Sequence, residues 1–180
     1  MADATGLRKI NTELVRKALR QGGVMSKNDL ARETGLSFPT VSRTVDALVQ
    51  LGELREAGAA ASTGGRCAQR YERDPRFRVM LCARLEGRRL FYEVRDLDGA
   101  VLEQGEQARS ASLLQMLDSM AGRVREQYPN LGGAVLGVDC SIRSGVACET
   151  IGYQELLGVD LADRLRQAAG VPAAAVRDMH

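Results

Sequence analysis

Residues 26–52, SKNDLARETGLSFPTVSRTVDALVQLG, decide how the first part of the chain folds. Ser26 stands three residues ahead of Asp29, the spacing in which a hydroxyl and a carboxylate cap the first turn of a helix. The short helix that follows carries Leu30 and Ala31 and ends at Thr34-Gly35, where glycine suits the left-handed position after a helix. Leu36 and Ser37 open the next helix, and Pro39 fits its first turn because the amides there have no helical acceptor. The spacing predicts that this helix runs to about Leu51 and stops at Gly52. At about 100° per residue, Val41, Val45, Leu48 and Val49 share one face. Arg43 lies near the centre of the opposite face, flanked by Pro39, Thr40, Ala47 and Gln50. Helix, tight glycine turn, helix is the helix-turn-helix plan. Its outward face is small, polar and basic at the N-terminal end, which suits a helix that enters a major groove. A three-helix bundle with a solvated face is the alternative that spacing alone leaves open.

The flanks extend this reading. Upstream, Leu7, Ile10, Leu14, Val15, Ala18 and Leu19 recur at helical spacing, and Gly22-Gly23 ends the pattern. Downstream, Glu53 to Glu56 reads as a short strand and Ala57 to Gly65 as a small-residue loop. Arg66 to Tyr71 returns as a second strand. Two strands with a glycine-rich tip after such a helix make a winged helix, with the wing at about residues 58–66. Arg66 at the tip is placed for a phosphate or a minor groove. Five arginines fall between Arg66 and Arg78, diluted by Glu72 and Asp74.

Leu30-Ala31, Thr34-Gly35-Leu36-Ser37 and Pro39-Thr40-Val41-Ser42-Arg43, then Val45, Leu48 and Gly64-Gly65-Arg66, together resemble the N-terminal domain of ROK-family (repressor, open reading frame, kinase) transcriptional regulators. The helix-turn-helix portion alone also suits MarR-like winged helices; the Gly-Gly-Arg wing and the later residues favour ROK. The resemblance implies DNA contacts from Ser37, Pro39, Thr40, Ser42, Arg43, Thr44 and Arg66.

The second part has a different rhythm. Phe77 to Leu85, Arg89 to Arg95 and Ala100 to Gln104 read as three strands, with Asp96-Leu97-Asp98-Gly99 as a turn. Leu113, Leu117, Met120 and Val124 lie on one face of a helix begun near Ser110 or Ser112. Gly133 to Cys140 reads as a buried strand. Leu161, Leu165 and Ala168 with Gly170-Val171-Pro172 give a helix and its stop, and Ala173 to Val176 a last strand. Three strands, helix, strand, helix, strand resembles the first lobe of the actin-like (ribonuclease-H-like) sugar-kinase fold of the ROK family. Val94 to Gly99 and Gly170-Val171-Pro172 to Asp178 resemble stretches of that lobe. The expected fold class is therefore α/β: a winged helix-turn-helix at 1–75 and a partial actin-like α/β domain at 76–180.

Departures from the family separate this chain from its kinases. An Asp-x-Gly-x-Thr turn between the first two strands binds ATP phosphates there, and Arg84, Glu86 and Arg88 stand at those positions here. Asp178 falls on the family's catalytic base, but the preceding sugar-ligating Asn is Arg177. No catalytic residue is carried over and no enzyme activity or cofactor is expected. The chain ends where the kinase-like fold is about half built, so no sugar effector is expected. A homodimer that buries the open sheet edge is expected. The leading reading is a repressor-type regulator binding a double-stranded operator. A ROK sugar kinase with an N-terminal extension and a winged-helix module that binds protein are the rivals.

Composition fits this reading. Over 180 residues, 44% are apolar and 27% charged, ordinary for a folded domain or two. No apolar run nears the roughly 20 residues of a membrane span, and no signal peptide is legible before Ile10. A cytoplasmic location is expected. Cys67, Cys82, Cys140 and Cys148 have no C-x-x-C spacing and the single histidine is His180, so no zinc site and four reduced, mostly buried thiols are expected. Aromatic residues at 4% and no Trp argue against single-strand binding by base stacking. The net charge of +2 is uneven, with 12 basic against 9 acidic residues through Pro75.

Overall fold

The computed structural model describes residues 4–59, 68–87, 89–108, 112–150 and 152–178. The chain divides into two compact units, Met1–Asp74 and Pro75–His180. The first holds α1 (Ala4–Gly22), β1 (Met25–Ser26), α2 (Lys27–Thr34), α3 (Phe38–Gln50), β2 (Leu54–Ala59) and β3 (Gln69–Arg73). Its sheet has the order β1-β3-β2, antiparallel throughout.

Ser26 caps α2 reciprocally. Its Oγ accepts from the Asp29 amide at 3.2 Å, and the Asp29 carboxylate accepts from the Ser26 amide at 3.1 Å. The Ser26 hydroxyl, donating to the same carboxylate at 2.7 Å, and then the Ser26 amide hold the Asp29 carboxyl below its ordinary value. Gly35 takes the left-handed conformation (φ 70°) that lets α2 end and α3 begin within three residues. Val41, Val45 and Leu48 of α3 are buried against Leu30 of α2 and Val15 and Leu19 of α1. Such burial contributes about 1.5–3 kcal/mol per large side chain. Arg16 of α1 forks onto both carboxylate oxygens of Glu53 at 2.6 Å and ties α1 to the turn after α3.

Two expectations change here. Only the C-terminal half of the apolar stripe of α1 is buried; Leu7, Ile10 and Leu14 stay 49%, 57% and 37% exposed. The unit is too small for its partners to reach the first two turns of a 19-residue helix. The returning strand, expected from Arg66 to Tyr71, is described as Gln69–Arg73. It continues past Tyr71 because Glu72 and Arg73 pair with Arg55 and Leu54 of β2. On its other side Met25–Ser26 pairs with Tyr71 and Arg70, a two-residue strand too short to show in a periodicity. Arg66, Gly64-Gly65 and Cys67 lie outside the described residues.

The second unit begins with a single 3-10 turn, Pro75–Phe77, which delays the first strand expected from Phe77. It then holds β4 (Val79–Glu86), β5 (Arg89–Asp96), β6 (Val101–Ala108), α4 (Leu113–Gln127), β7 (Leu131–Val138), β8 (Cys140–Arg143), β9 (Val146–Thr150), α5 (Leu161–Ala169) and β10 (Ala173–Arg177). The five-stranded sheet has the order β10-β7-β4-β5-β6, with β10, β7 and β4 parallel and β4, β5 and β6 antiparallel. Strict alternation along β4 sends Val79, Leu81, Ala83 and Leu85 into the core with α4 and α5. Met80, Cys82 and Arg84 alternate onto the other face. The Asp96-Gly99 turn forms as expected: Asp96 Oδ1 accepts from the amides of Asp98 and Ala100 at 3.0 and 2.9 Å. Sequence reading missed the β8–β9 hairpin, which stands outside the main sheet. Of the cysteines, Cys140 is buried, Cys82 half-buried and Cys148 exposed, so burial is less general than expected.

Candidate nucleic-acid interface

The face of α3 turned away from Val41, Val45 and Leu48 gathers most of the residues singled out in the sequence. Ser37 caps the helix by position but makes no side-chain bond to its amides. Its hydroxyl instead shares a 2.9 Å hydrogen bond with that of Thr40, on the exposed side of the helix. Pro39 is exposed in the first turn. Arg43 is exposed, and its Nε donates to the Pro39 carbonyl at 3.3 Å, a long bond that does not use the guanidinium's terminal nitrogens. Thr44 is half-buried and spends its hydroxyl on the Thr40 carbonyl at 2.9 Å.

Ser42 differs from these. Its Oγ accepts from Lys27 Nζ at 2.9 Å and donates to Asp46 at 3.2 Å, beside a 2.6 Å Lys27–Asp46 ion pair. Lys27 also stands 5.6 Å above the ring of Tyr71. The group knits the first turn of α2 to the middle of α3 and to β3. A Lys and an acid 19 residues apart leave no mark in a helical pattern, so sequence reasoning had no means of finding this contact. Phe38 also escaped it. The ring sits in the first turn of α3 and is 48% exposed.

In the second unit, the turn between β4 and β5 is the place where the family resemblance put the ATP phosphates. Arg84 and Glu86 pair at 3.1 Å across its start, and Arg84 stands 5.3 Å above the ring of Phe91. The amide of Gly87 donates to the hydroxyl of Tyr153 at 2.7 Å. Tyr153 is buried, which pushes its phenol up. Arg88 lies outside the described residues. Asp178 is half-buried after β10, its amide donating to the Val138 carbonyl at 3.0 Å. Among the described residues, no three His, Cys, Asp or Glu side chains could hold a metal, and no helix is long and apolar enough to cross a membrane.

The chain is mixed α/β, and its second unit, with β10-β7-β4 parallel and β4-β5-β6 antiparallel, has a fold that a solved ROK family structure shares. One likeness that spans both units is to a ROK family transcriptional regulator, a homolog of the E. coli Mlc protein. It has a TM-score of 0.68 at 18% identity and covers 96% of this chain and 46% of that one. The chain thus spans about half the length of that regulator. A putative sugar kinase from Cytophaga hutchinsonii matches 55% of this chain and 36% of its own, with a TM-score of 0.50 at 11% identity. A ROK family glucokinase from Streptomyces griseus in complex with glucose and AMPPNP matches 55% and 35%, with a TM-score of 0.47 at 14% identity. No family model and no curated protein sequence matches the chain.

Proposed function

We propose that the chain is a sequence-specific transcriptional regulator, acting as a repressor on double-stranded DNA. In this reading the first unit is a winged helix-turn-helix and α3 its recognition helix. The second unit is a ROK-type actin-like lobe serving assembly rather than phosphoryl transfer. The observation that carries it is the outward face of α3. Ser37, Thr40 and Arg43 stand on a helix whose other face is locked by Val41, Val45 and Leu48, and their polar groups bond only to one another and to their own helix. Such groups exchange partners for base edges and phosphates without leaving a buried group unsatisfied. Ser42, bonded to Lys27 of α2, positions the helix, and Thr44 spends its hydroxyl on a carbonyl of its own helix. Arg66 on the wing belongs to the backbone or a minor groove. The likeness to a ROK regulator over 96% of the chain supports the reading.

A two-copy assembly completes it. Leu7, Ile10 and Leu14 are three and four residues apart on α1, the spacing by which one helix seats on another, and all three are exposed. Two recognition helices about a two-fold axis reach half-sites about 10 bp, or a multiple, apart.

The test is selection from random duplexes with the purified chain, followed by titration of the selected duplex at several salt concentrations. The expected result is an inverted repeat, bound by a dimer, with affinity falling steeply with salt as counterions are released. Arg66→Ala should weaken selected and unrelated duplexes alike and lower the salt slope by about one unit. A monomer with no preference among duplexes at low salt overturns the reading.

A further inference from the structure

We infer that Phe38 is a specificity-determining residue of the DNA interface, reading the C5-methyl group of a thymine in each half-site. The inference rests on the DNA-binding reading above and assigns a contact that neither the helical pattern nor the family resemblance supplied.

Three observations lead to it. The first is exposure. Phe38 keeps 48% of its surface open, while Val41 and Val45, the next apolar residues on its side of α3, are fully buried. Helical position does not demand this exposure, since Phe38 falls about 60° from the centre of the buried face at 100° per residue. It arises because Phe38 occupies the first turn, where α2 has already ended at Gly35 and no earlier turn of α3 covers the ring.

The second observation is direction. A helical side chain leans towards the N-terminus of its helix. The ring of the first residue therefore projects beyond the end of α3, the end that meets base edges when a recognition helix docks.

The third is the company the ring keeps. Pro39 is exposed beside it and has no amide to donate; the Ser37 and Thr40 hydroxyls and the Arg43 guanidinium complete the surface. The hydroxyls and the guanidinium read the hydrogen-bonding edges of bases and phosphates. A bare aromatic edge at the same tip cannot bond to those groups, and would lose its exposed area to no purpose against them. The major groove offers one apolar feature, the thymine methyl, and Phe is among the side chains that meet it.

The experiment uses the full chain and the duplex recovered by selection. Each thymine of one half-site, and its symmetry mate, is replaced by deoxyuridine, which removes only the methyl group and leaves every hydrogen-bonding edge intact. For the wild type, one position is expected to lose about ten- to twentyfold in affinity, the worth of burying one methyl-sized group in each of the two half-sites. Phe38→Ala is expected to bind the thymine duplex more weakly and to make no distinction at that position. Phe38→Leu, which keeps an apolar tip, is expected to retain part of the distinction. Circular dichroism of the variants should match the wild type, because the ring is not part of the core. A wild type that binds its selected duplex equally well with uracil at every position overturns the inference while leaving the DNA-binding reading intact. So does a Phe38→Ala chain that still distinguishes thymine from uracil. A wild type that selects no duplex at all removes the reading beneath it, and the assignment falls with that reading.

Discussion

Two turns of this molecule invite a ligand, and hydrogen-bond accounting separates them. At the start of α3, Ser37 and Thr40 share one exposed hydrogen bond and Arg43 leans on a carbonyl of its own helix. Between β4 and β5, the Gly87 amide is already donated to the buried hydroxyl of Tyr153, reached from 66 residues downstream. A phosphate arriving at the first turn replaces bonds that water replaces as easily. A phosphate arriving at the second must take an amide from a buried phenol that then lacks a donor, at about 1–3 kcal/mol. The lesson is that a ligand-binding turn and a structural turn can share a backbone course and differ in where their amides are spent.

The largest expected effect tests whether the two turns belong to independent bodies. Leu136 of β7 and Leu30 of α2 are both buried, in separate cores. Leu136→Ala should destabilise the second unit by about 2–5 kcal/mol, the cost of lost burial and a cavity. If the units unfold separately, calorimetry will show one transition falling while the other stays, and Leu30→Ala will reverse the pattern. A single transition lowered equally by both substitutions breaks the comparison at its root.

Next in size is Arg43→Ala. Its guanidinium lies outside the core, so stability should change little. Affinity for the selected duplex should fall by about 1–3 kcal/mol if the contact is a fork onto guanine, with sequence preference relaxed at one position. Fluorescence anisotropy on selected and scrambled duplexes measures both. Equal loss on both duplexes would make Arg43 a phosphate contact and move specificity elsewhere on α3.

Tyr153→Phe addresses the second turn. Removing the phenolic oxygen leaves the Gly87 amide without its acceptor and should lower the stability of the second unit by about 1–2 kcal/mol. DNA affinity should be untouched. If ATP with magnesium binds the variant in calorimetry and not the wild type, Tyr153 is what keeps phosphate from this turn.

Legibility in the sequence followed the range of the interaction. The capping box of Ser26 and Asp29, the glycine stop at Gly35 and the Asp96 turn are contacts within four residues, and each was readable. The strand from Phe77 to Leu85 was readable too, though β4 spans Val79–Glu86. The exposed half of α1 was not, since a stripe of Leu and Ile shows what a helix can bury and is silent on whether a neighbour is present. Tyr153 on Gly87 and Lys27 on Ser42 and Asp46 were invisible for the same reason: both join distant segments that only the fold brings together. At the candidate interface the outward residues were found by position, and their division into outward-facing and inward-bonded groups needed the structure.

Acid sensitivity gives a smaller effect, confined to the second unit. Glu103 of β6 is mostly buried, its side chain 19% exposed, and receives Tyr92, Arg123, Gln127 and Tyr128. Burial alone would raise its carboxyl; the hydrogen bonds from Arg123, Tyr92 and Tyr128 outweigh it and hold the group below the ordinary glutamate value. A depressed carboxyl stabilises the fold above its unfolded value, near 4.3, and loses that contribution as pH falls through the lower folded value. Glu103→Gln should therefore cost about 1 kcal/mol at neutral pH and nothing at the acid end. Denaturant titrations at pH 7 and pH 3 check this. A deficit that persists unchanged at pH 3 would mean the loss is one of packing.

The smallest expected effect is the sharpest test of the accounting itself. Family resemblance makes Ser42 a DNA contact; the structure bonds its hydroxyl to Lys27 and Asp46 at 2.9 and 3.2 Å. Turning that hydroxyl to a base would break both bonds and leave the Lys27 ammonium with one partner fewer in a half-buried position. Ser42→Ala deletes the hydroxyl but keeps the 2.6 Å Lys27–Asp46 ion pair, so the packing of α2 on α3 survives. Stability should fall by no more than about 0.5 kcal/mol, the range of a substitution away from any core or buried network. Affinity for the selected duplex should move less than about twofold, which is the same free energy. Ser37→Ala and Thr40→Ala, whose hydroxyls bond only to each other, should each cost more in affinity than in stability. If Ser42→Ala instead loses as much affinity as Arg43→Ala, the hydroxyl leaves Lys27 on binding. Bonds seen in the free protein would then no longer tell which side chains of α3 reach the DNA.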